Sequence, residues 1–169
     1  SPSALTARLL EGVEVERYEL GRRSYLQHSP SVAGREIEVH ASISGRRDEQ
    51  PYGVIIAHGD AENGYTLYVE DGIMVWEVVQ RGKSTKVSTT GKTLPRSFEV
   101  KATLSGKGGA ALYVDDVLVG EATGLALFQQ PLHPSVRSGR DLGGADNVGK
   151  YEKDFPFEGN LQQLILELN

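Results

Sequence analysis

Four groups of side chains in this sequence have the types and spacing to do chemistry. The first is Thr66, Tyr68 and Glu77, which alternation places on one face of adjoining segments. An exposed tyrosine ring can take the C–H face of a sugar while hydroxyl and carboxylate groups take its hydroxyls. A plainer reading buries Tyr68 and its neighbour Val75 under a covering loop. The second group is His58, Asp60, Glu62 and Asn63, in the string HGDAEN. Oxygen ligands at alternate positions suit Ca²⁺, though the full ladder and closing glutamate of a twelve-residue calcium loop are missing. An ordinary polar turn at Asn63-Gly64 explains the same residues. The third is GRDLGGADN, where Asp141 and Asp146 are a candidate cation pair and Arg140 a candidate partner for an anionic group such as sulfate. Here the alternative is a surface loop ordered by an Arg–Asp pair. The fourth is Glu14, Glu16 and Glu19 in EVERYE. Two carboxylates on one strand face, about 5–5.5 Å apart, would suit a retaining glycosidase. A solvated acidic edge strand accounts for them more simply.

Other chemistries lack their residues. With no cysteine there is no disulfide, thiolate metal site or cysteine nucleophile. His28, His40, His58 and His133 show no zinc-type spacing. No G-x-S-x-G elbow occurs, and SGKGG lacks the spacing of a phosphate loop.

The elements that must position these groups are strands. Gly53 to Gln80 is the organising stretch, with the only Trp and the only Met of the chain. Asp71-Gly72 suits a two-residue type I′ turn. That turn pairs Val69 with Met74, Leu67 with Trp76 and Tyr65 with Val78 on an apolar face. Thr66 then opposes Glu77 and Tyr68 opposes Val75 on the other. A longer loop would mix the faces, and register follows such patterns. Arg35 to Ile43 alternates, with Ile37, Val39, Ala41 and Ile43 inward. Tyr52 to His58 is a continuous apolar run, the pattern of a strand covered on both sides. Ser84 to Thr90 reads as a polar edge strand. Asp115-Asp116 turns a second hairpin that sets Val114 against Val117 and Leu112 against Val119. Residues 129–156 are irregular, with a short strand expected within Arg137 to Asp141. Leu164, Leu166 and Leu168 mark a closing strand. Residues 1–12 carry the one helix-like pattern, with Leu5, Leu9 and Leu10 on a face and Ser3 as cap, so a short helix, a linker or an edge segment is expected there. A sandwich domain is expected over 13–169.

The 169 residues suffice for one domain with a real core. The net charge of −5 and the scattered basic residues argue against a nucleic-acid partner. No apolar run reaches the roughly 20 residues of a membrane-spanning helix. A start at Ser-Pro points to a processed chain or a piece of a longer one.

One family joins these motifs. HGD-x5-YTLYVEDG, SFEVKATLSGKGGAALYVDDVLVGEAT, GRDLGG and the ending FPFEG…LILEL occur in an order that resembles the concanavalin A-like, laminin G-like domain at the C-terminus of many bacterial arylsulfatases. The resemblance covers roughly residues 25–169. The family commonly has Asp-Gly where this chain has Asp115-Asp116. It implies an all-β, two-sheet antiparallel jelly roll that is an accessory module, since the sulfatase C/S-x-P-x-R motif is absent. The expected function is non-catalytic carbohydrate binding within an exported, secreted or periplasmic enzyme of sulfatase type. The expected partners are a glycan, sulfated polysaccharide among the candidates, and the parent catalytic domain. The resemblance also makes His58, Asp60 and Asn63 candidate ligand-binding residues, since sugar-binding loops of such folds often sit at that end of the sheet, and Ca²⁺ is the one candidate cofactor. Two alternatives stand beside this reading: a purely structural domain packed on a sulfatase catalytic domain, and a glycoside hydrolase of laminarinase-like fold.

Overall fold

A computed structural model describes residues 5–10, 13–26, 28–91 and 94–169. The strands are β1 (Leu5–Leu10), β2 (Val13–Glu19), β3 (Ile37–Ser44), β4 (Gly53–Gly59), β5 (Asn63–Glu70) and β6 (Ile73–Gln80), followed by β7 (Lys83–Ser88), β8 (Ser97–Ser105), β9 (Gly109–Val114), β10 (Val117–Ala122), β11 (Arg137–Ser138) and β12 (Asn160–Leu168). They form a seven-stranded antiparallel sheet in the order β1-β2-β12-β3-β8-β9-β10 and a five-stranded one in the order β11-β4-β5-β6-β7. The architecture is the expected jelly-roll sandwich, and no described residue is helical.

The β5–β6 hairpin has the register that its apolar phase dictates. Leu67 pairs with Trp76, Thr66 with Glu77 and Tyr68 with Val75. Asp71 and Gly72 both have positive φ, 53° and 76°, as a type I′ turn requires. The inward side chains of both sheets fill one core around Trp76, Tyr65, Ile37, Leu104, Leu112 and Leu166. Trp76 also links the layers, its Nε1 donating to the Thr103 carbonyl at 3.0 Å. A buried indole N–H needs such a partner.

Two expectations are corrected. Leu5–Leu10 form β1, an edge strand paired along its length with β2, so the edge-segment alternative replaces the helix. Six residues are too few to sustain a helix alone, whereas pairing satisfies their backbone groups. Ser3 lies outside the described residues. In the second hairpin Val114 does oppose Val117, but a bulge then sets Gly120, in place of Val119, against Leu112. The bulge brings Gly120 against β7, where a Cβ would sit 2.9 Å from Val87 Cγ1. Only glycine fits so close an approach.

Candidate functional site

The outer face of the five-stranded sheet carries Thr66, Tyr68 and Glu77, as expected, but it is not open. Val54, Ala57, Val75 and Val79 accompany them, and Val148, Tyr151 and Phe155 pack over the top. The chain from Asp141 to Phe155 thus covers the face. Tyr68 and Tyr151 meet edge to face at 4.9 Å between centroids. Tyr68 is only 2% exposed. Its hydroxyl donates to Glu77 Oε1 at 3.0 Å, and Ser84 donates to Glu77 Oε2 at 2.5 Å. Burial, then the Glu77 carboxylate, pushes the Tyr68 phenol far up, so it stays protonated. The Thr66 hydroxyl donates to the Ile56 carbonyl at 3.0 Å. The expected open sugar platform is therefore corrected to a sealed one, the covering-loop alternative.

Asp141 anchors the cover. Its carboxylate is buried and accepts from the Arg137 guanidinium, the Tyr151 hydroxyl, Leu142 N at 2.7 Å and Val148 N at 2.9 Å. Both oxygens are thereby committed to protein donors. Asp146 is exposed, and no third ligand groups with either residue among those described. Asp141 and Asp146 are not brought together as a cation site. Asn147 is buried and accepts from Gly143 N at 2.7 Å, tightening the same segment.

His58 points inward, not into the loop with Asp60. Its ring lies 3.0 Å from the Tyr65 hydroxyl and 2.9 Å from Ser29 Oγ, fully buried. Burial foremost, then the charge of Arg137, pushes its pKa down to about 3, so the ring is neutral at ordinary pH. Asp60 caps the β4–β5 turn, accepting from Glu62 N at 2.9 Å and Asn63 N at 3.1 Å. Asn63 is exposed and accepts from Arg81 N at 3.1 Å. On β2, Glu16 bonds the Tyr18 hydroxyl and Arg35, each at 2.6 Å, and Glu19 pairs with Arg17 at 2.7 Å. Their odd spacing places Glu16 and Glu19 on opposite faces. The Glu14 side chain lies outside the described residues. Nor is β2 an edge, since it lies between β1 and β12.

Arg140 remains accessible, and the structure gives it company. The Tyr25 backbone bridges to Arg137, Leu26 N donates to the Val136 carbonyl, and Ser138 N donates to the Ser24 carbonyl. These bonds lay the Arg23–Leu26 loop along β11. Between them lies a cleft of about 430 Å³, whose lining includes Arg23, Tyr25, Ser135, Arg137, Arg140 and Leu142. Arg137 is neutralised by Asp141 and spends its other protons on the Gly59 and Ser135 carbonyls. Arg140 is exposed, with Asp154 a loose 3.7 Å away. Arg23 is exposed and has no ion-pair partner among the described residues. Tyr25 is 67% exposed. Two available guanidinium forks beside a bare aromatic ring match an anionic group on a ring-shaped ligand. Arg23 and Tyr25 escaped sequence reasoning because their loop reads only as turn formers. The signal was the pair of short basic strings, GRRSY and RSGR, that β11 pairing brings together.

A second cleft, of about 510 Å³, includes Asn63, Gln80 and Arg81 in its lining. Its amides are largely committed: Gln80 donates to the Ala126 carbonyl and Gln129 to that of Leu127. The arginine-lined cleft is the better candidate.

No protein-family model matches the chain, and no curated protein matches its sequence. Solved structures do. The CBM40 domain of the Ruminococcus gnavus IT-sialidase, bound to α2,3-sialyllactose, superposes over 86% of this chain and 89% of its own, with a TM-score of 0.58 and 12% identity. The mouse laminin α1 chain, domains LG4-5, matches over 87% of this chain and 38% of its own (TM-score 0.59, 18% identity). The binding domain of botulinum neurotoxin DC in complex with SialylT matches over 99% and 46% (TM-score 0.51, 9% identity). At such identities the likeness shows the fold, a jelly roll of the CBM40 and laminin G kind.

Proposed function

We propose that this domain is a non-catalytic carbohydrate-binding module that takes an acid-bearing glycan in the cleft between the Arg23–Leu26 loop and β11. One observation carries the reading: Arg23 and Arg140, both exposed, share that cleft with the bare ring of Tyr25. A carboxylate or sulfate would be held by the guanidinium groups, and a sugar ring would lie against the tyrosine. The Ruminococcus neighbour, which holds sialyllactose, is an example of this fold carrying such a ligand. The parent protein on this reading is an exported, secreted or periplasmic carbohydrate-active enzyme. A sulfatase is the candidate, since the motif order resembles a sulfatase accessory domain and sulfated polysaccharide carries the required charge.

The test is a glycan array with sialylated, sulfated and neutral ligands, run with calcium and with chelator. We expect saturable binding of an acid-bearing glycan and none of its neutral counterpart. Arg23→Gln and Arg140→Gln should each weaken it about tenfold, the scale of one charge-assisted hydrogen bond, at unchanged melting temperature. A neutral preference, or indifference to both substitutions, sinks the site.

A second reading is a structural domain packed on a catalytic neighbour. It is favoured by Val117 and Leu118, 62% and 45% exposed at the β9–β10 turn. A blank array from folded protein would support it.

A further inference from the structure

The open face of the seven-stranded sheet carries a cluster that the cleft does not use. Glu38 and His40 lie two apart on β3 and so share a face. Glu167 on β12 is the cross-strand partner of Glu38. One ligand atom from each of the three falls within 4.8 Å of the others. His40 Nε2 stands 3.9 Å from Glu38 Oε2, too far for a hydrogen bond. A tetrahedral ion holds ligands at about 2.1 Å from itself and so about 3.4 Å from each other, a closure that a small rotation of either side chain supplies.

Two cations flank the cluster without hydrogen-bonding to it. Arg17 lies opposite Glu167 but directs Nη1 to Glu19 at 2.7 Å, leaving its Nε 3.7 Å from Glu167. Lys101 lies opposite His40 but places its ammonium over the Tyr113 ring, 4.3 Å from the centroid. The three groups thus face one another with no hydrogen bond among the described residues that would consume them.

We infer that Glu38, His40 and Glu167 form a site for a divalent transition metal of the zinc class. One imidazole and two carboxylates suit Zn²⁺ or Ni²⁺ better than Ca²⁺, which prefers six or more oxygens. Three protein ligands leave at least one coordination position open. The site is independent of the glycan cleft.

The test is isothermal titration calorimetry of the whole, tag-free chain with zinc chloride, and separately with calcium chloride. One saturable zinc site is expected, and none for calcium. His40→Ala should abolish it. His40 is 38% exposed in its side chain, so the variant should fold, which a melting curve verifies. Arg17→Gln should tighten zinc about fivefold by removing a nearby positive charge. Absence of saturable zinc heat overturns the inference. So does zinc retained in folded His40→Ala protein, which would place the ion on other histidines.

Discussion

The outer faces of the two sheets are built on opposite plans. That of the five-stranded sheet presents Val54, Ala57, Tyr68, Val75 and Val79 and is sealed by the Asp141–Phe155 segment. That of the seven-stranded sheet presents Arg17, Glu19, Glu38, His40, Lys101 and Glu167, and among the described residues it carries ion pairs and a ring contact in place of a cover. Composition decides the difference. Apolar side chains on both faces of a sheet need two layers to bury them, whereas charges stay hydrated at little cost. The sealed face adds a second buried cluster to the core between the sheets, and the accessible chemistry lies elsewhere: in the cleft at the edge of the cover and on the charged sheet.

The most severe way to break this contrast is to cut the anchor of the cover. Asp141→Asn keeps the volume but removes the charge facing buried Arg137 and weakens the acceptor for Tyr151 and two backbone amides. Breaking one partner of a buried ion pair costs about 3–5 kcal/mol. Urea unfolding should register that loss. A dye that reports exposed apolar surface should bind the variant as the Tyr68 face opens. A loss under 1 kcal/mol would show that the cover holds without its anchor.

Acid is a gentler probe of the same sheet, through its inner face. His58, on β4, has a folded pKa of about 3 against an ordinary 6.5. A folded pKa below the unfolded one means that the unfolded chain takes up the proton first. His58 therefore favours the folded state fully above pH 6.5, and that contribution declines as pH falls toward 3. At pH 5 the decline is about 2 kcal/mol. Amide exchange at that pH should quicken in β4 and β5 before β3 and β8. His58→Gln should flatten the pH dependence, and an unchanged slope would assign it to carboxylates.

Much of this plan was legible in the sequence. The β5–β6 register followed from one Asp-Gly turn and the phase of six apolar residues, both local. The alternation of β3 and the unbroken apolar run of β4 marked one strand with a free face and one without. What covers β4 was not legible, because the cover is a chain of Gly and charged residues with no periodicity. Its hold comes from Asp141, from Tyr151, whose partner Thr66 lies 85 positions away, and from Phe155 against Tyr68. The site suffered from the same blindness. Tyr68 carried the right chemistry on the correct face, and only the fold could show that another aromatic already occupies it. Arg140 survived as a candidate, but its companions Arg23 and Tyr25 come from a loop more than 100 positions distant, joined through β11. β1 was misread because three leucines fit a helical face over so short a span, and the pairing that decides otherwise is tertiary.

The smallest expected effect lies on the open sheet and completes the contrast. Lys101→Ala removes a half-exposed ammonium that touches one ring, and Glu38→Gln removes a charge with no hydrogen bond among the described residues. Exposed ion pairs contribute about 0–1 kcal/mol, and an exposed cation–π contact about 0.5–1. Each variant should therefore stay within about 1 kcal/mol of the parent in urea, several-fold less than Asp141→Asn. Because the two sites are on different sheets with no shared partner, Asp141→Asn combined with Lys101→Ala should be additive to about 0.5 kcal/mol. A larger coupling would mean that the charged face senses the cover through the common core. The two faces would then be one cooperative unit, and the freedom of the open sheet to carry ligands without a stability cost would be lost.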